Sequence, residues 1–257
     1  MWGALMGNCA IILAGGEGKR MKSDKPKTLS LVLEKPMLLW VINALKGAGI
    51  DKICVVKGYK KECIEEFLDN YNKENSDCIE SVFQAERLGT GHAVMMAKQF
   101  LAKCDGNVVI LNGDAPFMDS MTIKNALKQH INGYAATVIS AKVDDPTGYG
   151  RIVRDKNGNL KAIVEQKDAD EETLKINEVN SGGFWFDVQQ LLSVLDRITS
   201  NNKAKEYYLP DAIKLLLEDG KKVGAFMAEC SDTVLGANDP AQLEELNEIA
   251  KAKGYDF

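Results

Sequence analysis

Apolar residues are arranged along this chain in two rhythms. Asn8–Ala14 (NCAIILA), Asp51–Lys57 (DKICVVK) and Asn107–Leu111 (NVVIL) are short runs with almost no polar alternation. A strand of that kind is buried on both faces of its sheet. Between them, Pro36–Ala48 places its apolar residues at helical spacing, opens on proline and is followed by Gly49, which predicts a helix. Lys61–Asn70 predicts a short helix, and Thr90–Lys103 a longer one after a glycine turn. All-apolar strands alternating with helices predict a parallel α/β sheet covered on both faces.

The second half reads differently. Ala135–Val143, Gly150–Arg154 and Leu160–Glu165 are shorter strands, with Asp155–Asn159 (DKNGN) as a hairpin turn. Val179–Phe186 (VNSGGFWF) is a strand interrupted by glycines. Helices are expected near Val188–Ile198 and Leu209–Glu218, then a strand at Val223–Ala228 and a polar helix from Pro240 to Lys253. No repeat, linker or low-complexity segment divides the chain. The expectation is one domain over residues 1–257, with a nucleotide-binding half at about 8–130 and a β-rich half with the final helix at about 131–257.

With 257 residues the chain can bury a substantial core. Its net charge of −5 argues against a general nucleic-acid or membrane-surface binder. Six scattered cysteines, with no C-x-x-C pair, read as reduced thiols in a cytoplasmic protein. The N-terminal MWGALMGNCAIILAGG lacks the basic start of a signal peptide, and no apolar stretch approaches the ~18 residues of a membrane span.

Against that negative balance, residues 17–27 (EGKRMKSDKPK) hold five basic side chains and two acidic ones, directly after the first strand and a glycine pair. Ligands of parallel sheets lie outside the carboxyl ends of the strands, which selects the loops after Ala14, after Leu111 and before Thr90. The first loop matches neither familiar phosphate cradle. Gly18-Lys19 is followed by Arg20, where a Walker A motif needs Ser or Thr, and Met21 stands where a dinucleotide fingerprint needs its third glycine. A solvated basic turn is the plain alternative. Mobile backbone N–H groups beside Arg and Lys are nevertheless what a polyphosphate requires. Asp114, at the end of a buried strand, is costly there unless a cation is near.

LAGGEGKRMKSDKPKTL resembles the L-A-A/G-G-x-G-T-R-M/L-x5-P-K signature of sugar-1-phosphate nucleotidyltransferases. In the same order, Gln84–Ala93 (QAERLGTGHA) resembles the family's Q-x4-G-T-G-H-A segment, and Gly113-Asp114-Ala115-Pro116 its G-D-x-P loop. DPTGYGRI at Asp145–Ile152, IVEQKDA at Ile163–Ala169, EVNSG at Glu178–Gly182, EYY at Glu206–Tyr208 and GAN at Gly236–Asn238 complete the series. Together they resemble the uridylyltransferase domain of bacterial UDP-N-acetylglucosamine pyrophosphorylases, from Ala10 to about Leu243. The resemblance implies a Rossmann-like, GT-A-like fold: a mixed, mostly parallel sheet flanked by helices, with a smaller β-rich sugar-binding subregion. There are departures. Lys19 stands where the family has Thr, and Asp239-Pro240 follows Asn238. No hexapeptide repeat of a left-handed β-helix is present, so the resemblance implies no acetyltransferase activity in this chain.

The implied reaction joins UTP and N-acetylglucosamine-1-phosphate into UDP-N-acetylglucosamine and pyrophosphate. Its nucleophile arrives ionised, so catalysis rests on positioning and charge stabilisation. By resemblance, Arg20 and Lys27 are the charge stabilisers, and Asp114 with Asn238 holds Mg²⁺, a cation that keeps much of its hydration shell. Leu13, Ala14, Gly15, Gly16 and Gly113 fall in the nucleotide loops. Gln84, Gly89 and Thr90 face the uracil, where a side-chain amide offers both a donor and an acceptor. Gly150, Glu165 and Asn180 face the sugar, and His92 reads as helix packing. A pyrophosphorylase for another hexose-1-phosphate, such as glucose-1-phosphate, is the nearest alternative. A glycosyltransferase would need a D-x-D pair, whereas Asp114 is followed by Ala115-Pro116. A binding protein on the same fold would be expected to lack Arg20, Lys27 or Asp114. Oligomeric state is not legible in the sequence.

Overall fold

The all-apolar run after Asn8 becomes the centre of a sheet. The computed structural model describes residues 7–255; residues 1–6, part of the stretch weighed as a signal peptide, and residues 256–257 lie outside the described residues. In chain order the strands are β1 (Cys9–Ala14), β2 (Leu31–Val32), β3 (Lys35–Pro36), β4 (Lys52–Lys57), β5 (Glu80–Phe83), β6 (Asn107–Asn112), β7 (Ala136–Lys142), β8 (Arg151–Arg154), β9 (Leu160–Val164), β10 (Glu178–Asp187) and β11 (Val223–Met227). The helices are α1 (Met37–Gly47), α2 (Lys61–Asn75), α3 (Thr90–Met96), α4 (Lys98–Leu101), α5 (Ser120–His130), α6 (Glu171–Leu174), α7 (Val188–Leu195), α8 (Pro210–Glu218) and α9 (Pro240–Lys253). Short 3₁₀ turns at Lys19–Met21, Lys27–Leu29 and Ser231–Val234 carry or adjoin site residues.

Among the described residues the main sheet has nine strands, ordered β11-β7-β10-β6-β1-β4-β5, with β8 joined to β10 and β9 to β8. β1 lies between β4 and β6, parallel to both, and β4 is parallel to β5. β10 runs antiparallel between β6 and β7, and β11 is parallel to β7. The sheet is therefore mixed and mostly parallel along its main path, and it runs without a break through both expected halves. Side chains of β1 alternate between two cores. Cys9 and Ile11 pack with α3, α4, α7 and α8, while Ala10, Ile12 and Ala14 pack with α1, α2 and α5. That double burial explains the missing polar alternation. It also brings the loops after β1, β4 and β6 out side by side at one sheet edge.

The structure departs from the expected pattern in several places: β2, β3 and α6 are short added elements, and α2 runs on to Asn75. The helix beginning at Thr90 is broken at Ala97, whose φ of −91° and ψ of 12° leave the helical region. β5 is an added edge strand, only four residues long. α5 is an added helix, capped by Asp119, whose carboxylate accepts from the N–H groups of Met121 and Thr122. Among the described residues no helix is long and apolar enough to cross a membrane.

α5 also buries His130, which is 1% exposed and meets Thr137 Oγ1 through Nδ1 at 3.1 Å. Burial pushes its imidazole down to about 4, with Asp187 opposing the shift. A histidine so depressed takes up its proton mainly in the unfolded chain. Its contribution is therefore complete above pH ~6.5 and is lost as pH falls towards 4, by ~3 kcal/mol in all. Urea unfolding at pH 7.5 and pH 5 should show a loss of stability that shrinks in His130→Gln. An unchanged difference in that variant would remove His130 as its source.

Candidate active site

β1 ends at Ala14 and the chain turns through Gly15, Gly16 and Gly18 into the 3₁₀ turn Lys19–Met21. Gly18 has φ +58°, and a Cβ there would lie 2.9 Å from the Cβ of Lys27. The absent side chain lets the Lys27 stem lie along the loop. Pro26 sets the entry to the next 3₁₀ turn, which carries Lys27. Its ammonium forms an ion pair with Asp114 Oδ2 and donates to Asn238 Oδ1 at 3.0 Å. Arg20 is exposed and lines the same cleft; among the described residues no hydrogen bond or ion pair engages it. Glu17 accepts from Arg87 Nη2 at 3.0 Å and lies 3.8 Å from the Lys19 ammonium, which ties this loop to the segment before Gly89.

Two further loops bring the oxygens to Lys27. After β6, the Gly113 N–H donates to the Leu13 carbonyl at 3.0 Å, holding the Asp114 turn against the end of β1. Asn238 arrives from the far end of the sequence, just ahead of α9. Its N–H donates to Gln242 Oε1 at 2.8 Å. Asp239 caps that helix through Gln242 N–H at 3.0 Å, and Pro240 is its first residue. The Asp-Pro departure from the family pattern is thus a helix start, suited to a fixed backbone beside Asn238.

On the opposite wall, Gln84 follows β5 and is 4% exposed. Its Nε2 donates to the Gly89 carbonyl at 3.1 Å and to His92 Nδ1 at 3.0 Å. A carbonyl only accepts, so the amide nitrogen must face Gly89; His92 Nδ1 then accepts too, and the imidazole proton sits on Nε2. The Gln84 amide therefore offers a ligand its Oε1 alone, not the donor and acceptor expected of a side-chain amide at this motif position. His92 acts beyond packing, as an anchor for that amide. Thr90 Oγ1 accepts from the Leu209 N–H at 3.0 Å, so this hydroxyl already holds the start of α8.

Gly89 has φ +115°, and a Cβ there would lie 2.6 Å from the Tyr207 carbonyl oxygen. That backbone region is essentially closed to other residues. Gly89→Ala is expected to cost about 1–3 kcal/mol of stability, measured by denaturant unfolding. Wild-type stability in that variant would show that the turn relaxes freely.

At the far end, the Asn180 N–H donates to the Gly150 carbonyl at 2.8 Å, and Asn180 Oδ1 accepts from Gly182 N–H at 2.9 Å. Glu165 Oε1 lies 3.1 Å from where a Cβ on Gly150 would sit, so glycine leaves room for the carboxyl. Burial, and then the charges of Asp168, Asp211 and Glu206, push the Glu165 carboxyl up. Burial first, then Asp168 and Glu165, raises the Tyr208 hydroxyl to about 12. The cleft is polarised: cationic at the glycine loop, acidic at the β-rich end.

Leu13, Gly15, Gly16, Arg20, Lys27, Gln84, Gly89, Thr90, Asp114, Gly150, Glu165, Asn180 and Asn238 all border one cleft of about 760 Å³. Ala14 and Gly113 do not line it. Ala14 is 1% exposed with its side chain in the core, and Gly113 is packed among Ile12, Leu13 and Thr28. The cleft also includes residues not singled out from sequence. Glu17 and Arg87 pair across loops, Tyr149 lies in the quoted DPTGYGRI segment, and Gln242 holds Asn238. Glu17, Arg87 and Tyr149 had a local signal, their places within the motifs, whereas Gln242 had none.

The nucleotidyl transferase family model matches residues 9–235. The bifunctional protein GlmU of Clostridium tetani is 44% identical over 249 residues, covering 96% of this chain and 53% of that protein. The corresponding protein of Clostridium beijerinckii is 47% identical over 247 residues, 96% of this chain and 52% of that protein. The chain thus spans about half the length of the curated relatives it matches. A crystal structure described as a glucose-1-phosphate thymidylyltransferase from Bacillus anthracis superposes with a TM-score of 0.78 at 21% identity, covering 97% of both chains. That likeness concerns the fold.

Proposed function

This chain belongs to the nucleotidyl transferase family, and from that premise we propose that it transfers the uridylyl group of UTP to N-acetylglucosamine-1-phosphate. The products are UDP-N-acetylglucosamine and pyrophosphate. The observation that carries this reading is the polarised cleft, where a glycine-rich cationic loop and the Asp114–Asn238 oxygens meet at Lys27. The GlmU proteins it resembles support the choice of substrates.

In this reading residues about 8–130 form the nucleotide half and about 131–257 the sugar half. Loop amides of Gly15–Gly18 and the Arg20 guanidinium receive the β- and γ-phosphates, where negative charge grows as pyrophosphate departs. Lys27 reaches the α-phosphate and the incoming sugar phosphate. Gln84 Oε1 accepts from the uracil imide N–H, with His92 fixing the amide. Glu165 and Asn180 hold sugar hydroxyls and the acetamido group. A phosphate oxygen of the sugar phosphate attacks the α-phosphorus, and the bond from that phosphorus to the bridging oxygen of pyrophosphate breaks. No proton leaves the nucleophile, so the site needs no general base.

The residues present fit Mg²⁺. Asp114 and Asn238 already bring a carboxylate and an amide oxygen to one cation, the Lys27 ammonium. No cluster of three or more His, Cys, Asp or Glu suited to a metal occurs among the described residues, so phosphate oxygens and waters would complete the shell. When bound, Mg²⁺ would draw charge from the phosphoryl oxygens. The six free cysteines suit a cytoplasmic setting.

Incubation with a panel of sugar-1-phosphates and nucleoside triphosphates, followed by pyrophosphate release, tests the reading. Release is expected with UTP and N-acetylglucosamine-1-phosphate above all other pairs. Preference for another hexose-1-phosphate would replace the sugar, and no release with any pair would leave a binding protein.

A further inference from the structure

Lys27 has two positions to fill and one ammonium to fill them with. In the proposed reaction, on which this inference rests, that charge belongs on phosphate. In the structure it lies between Asp114 Oδ2 and Asn238 Oδ1, the two oxygens assigned to Mg²⁺. The side chains of Lys27 and Asp114 are only 17% and 16% exposed, so water screens the pair weakly. A lysine ammonium is a compact point charge, well matched to an oxygen site. It cannot share that site with a divalent ion, because like charges a few ångströms apart repel strongly where screening is weak.

We infer that Lys27 is an internal cation that keeps the metal seat closed until a triphosphate draws it away. The route is short. Leu29 N–H donates to the Pro26 carbonyl at 2.9 Å and Ser30 N–H to the Lys27 carbonyl at 3.0 Å, which fixes the backbone of this turn. The Lys27 Cε passes 3.7 Å from where a Cβ on Gly16 would sit, beside the amides of the glycine loop. Rotation of the side chain alone carries the ammonium from Asp114 towards that loop. Arg20, exposed on the same loop, gives the triphosphate a first anchor before Lys27 moves. The triphosphate then takes the ammonium, and Asp114 and Asn238 are released to the metal. Metal and nucleotide thereby bind with positive coupling, and each raises affinity for the other.

The test is a titration of Mn²⁺, followed by its electron paramagnetic resonance signal, into nucleotide-free wild type, Lys27→Met and Lys27→Arg. Lys27→Met should bind Mn²⁺ at least about tenfold more tightly than wild type, because two charge-assisted hydrogen bonds no longer compete. Lys27→Arg, which keeps the charge, should show no such gain. A second measurement needs only the wild type: saturating Mn²⁺ without nucleotide should speed acylation of Lys27 by an amine reagent, read by peptide mass. Unchanged Mn²⁺ affinity in Lys27→Met, or acylation indifferent to Mn²⁺, overturns the inference. Wild type that takes up Mn²⁺ normally with UTP while Lys27→Met shows no gain overturns this inference alone. Wild type that takes up no Mn²⁺ beyond that carried by free UTP overturns the proposed function as well.

Discussion

Lys27→Ala is expected to lower kcat by about 10²–10³-fold, the loss typical of removing one preorganised donor to a developing anion. The KM for UTP should change far less, because the lost contact matters most as charge moves onto the phosphoryl oxygens. The stem of Lys27 lies along Gly18 and its ammonium meets Asp114, so the fold must be checked beside the rate. Arg20→Ala should lose turnover on a similar scale but keep full stability, since Arg20 is exposed and makes no hydrogen bond or ion pair among the described residues. Steady-state pyrophosphate release together with urea unfolding separates the two effects. Wild-type turnover in a folded Lys27→Ala protein would contradict the assignment.

Asp114→Asn should be at least as damaging. The amide keeps the shape and one acceptor oxygen but removes the negative charge that pairs with Lys27 beside Asn238. Loss of charge stabilisation through the metal costs several kcal/mol, or about 10²–10³-fold in rate. The Mg²⁺ concentration for half-maximal rate should rise at least about tenfold. Two changes in one variant, a lower ceiling and a right-shifted Mg²⁺ curve, identify a metal ligand; a lower ceiling alone points to Lys27 positioning. Full activity at the wild-type Mg²⁺ concentration would remove Asp114 from the metal.

Much of this site could be read along the chain because its parts sit at strand ends. β1, β4 and β6 are buried on both faces, so their sequences are unbroken apolar runs and the loops after them stand out. The motif order then placed Lys27, Gln84, Asp114, Glu165 and Asn238 near one another. Elements with a mixed surface were harder to see. α5 turns Thr122 and His130 inward with Ile123, Ala126 and Leu127, which blurs its apolar stripe. β5 has one neighbour and two half-buried residues, too little for a period. Contacts between distant loops left no local trace. Glu17 meets Arg87 across 70 positions, and Lys27 meets Asn238 across 211. The role of His92 required the Gln84 amide to be oriented by Gly89, which only three-dimensional placement supplies.

The most direct measurement of the central claim is a crystal structure of this protein with UTP and Mg²⁺. The account predicts the triphosphate along Gly15–Gly18 with Arg20 beside it, Lys27 drawn from Asp114 onto phosphate, and the uracil imide on Gln84 Oε1. Nucleotide bound outside this cleft, or a triphosphate in it with Lys27 still paired to Asp114 and Asn238, would contradict it.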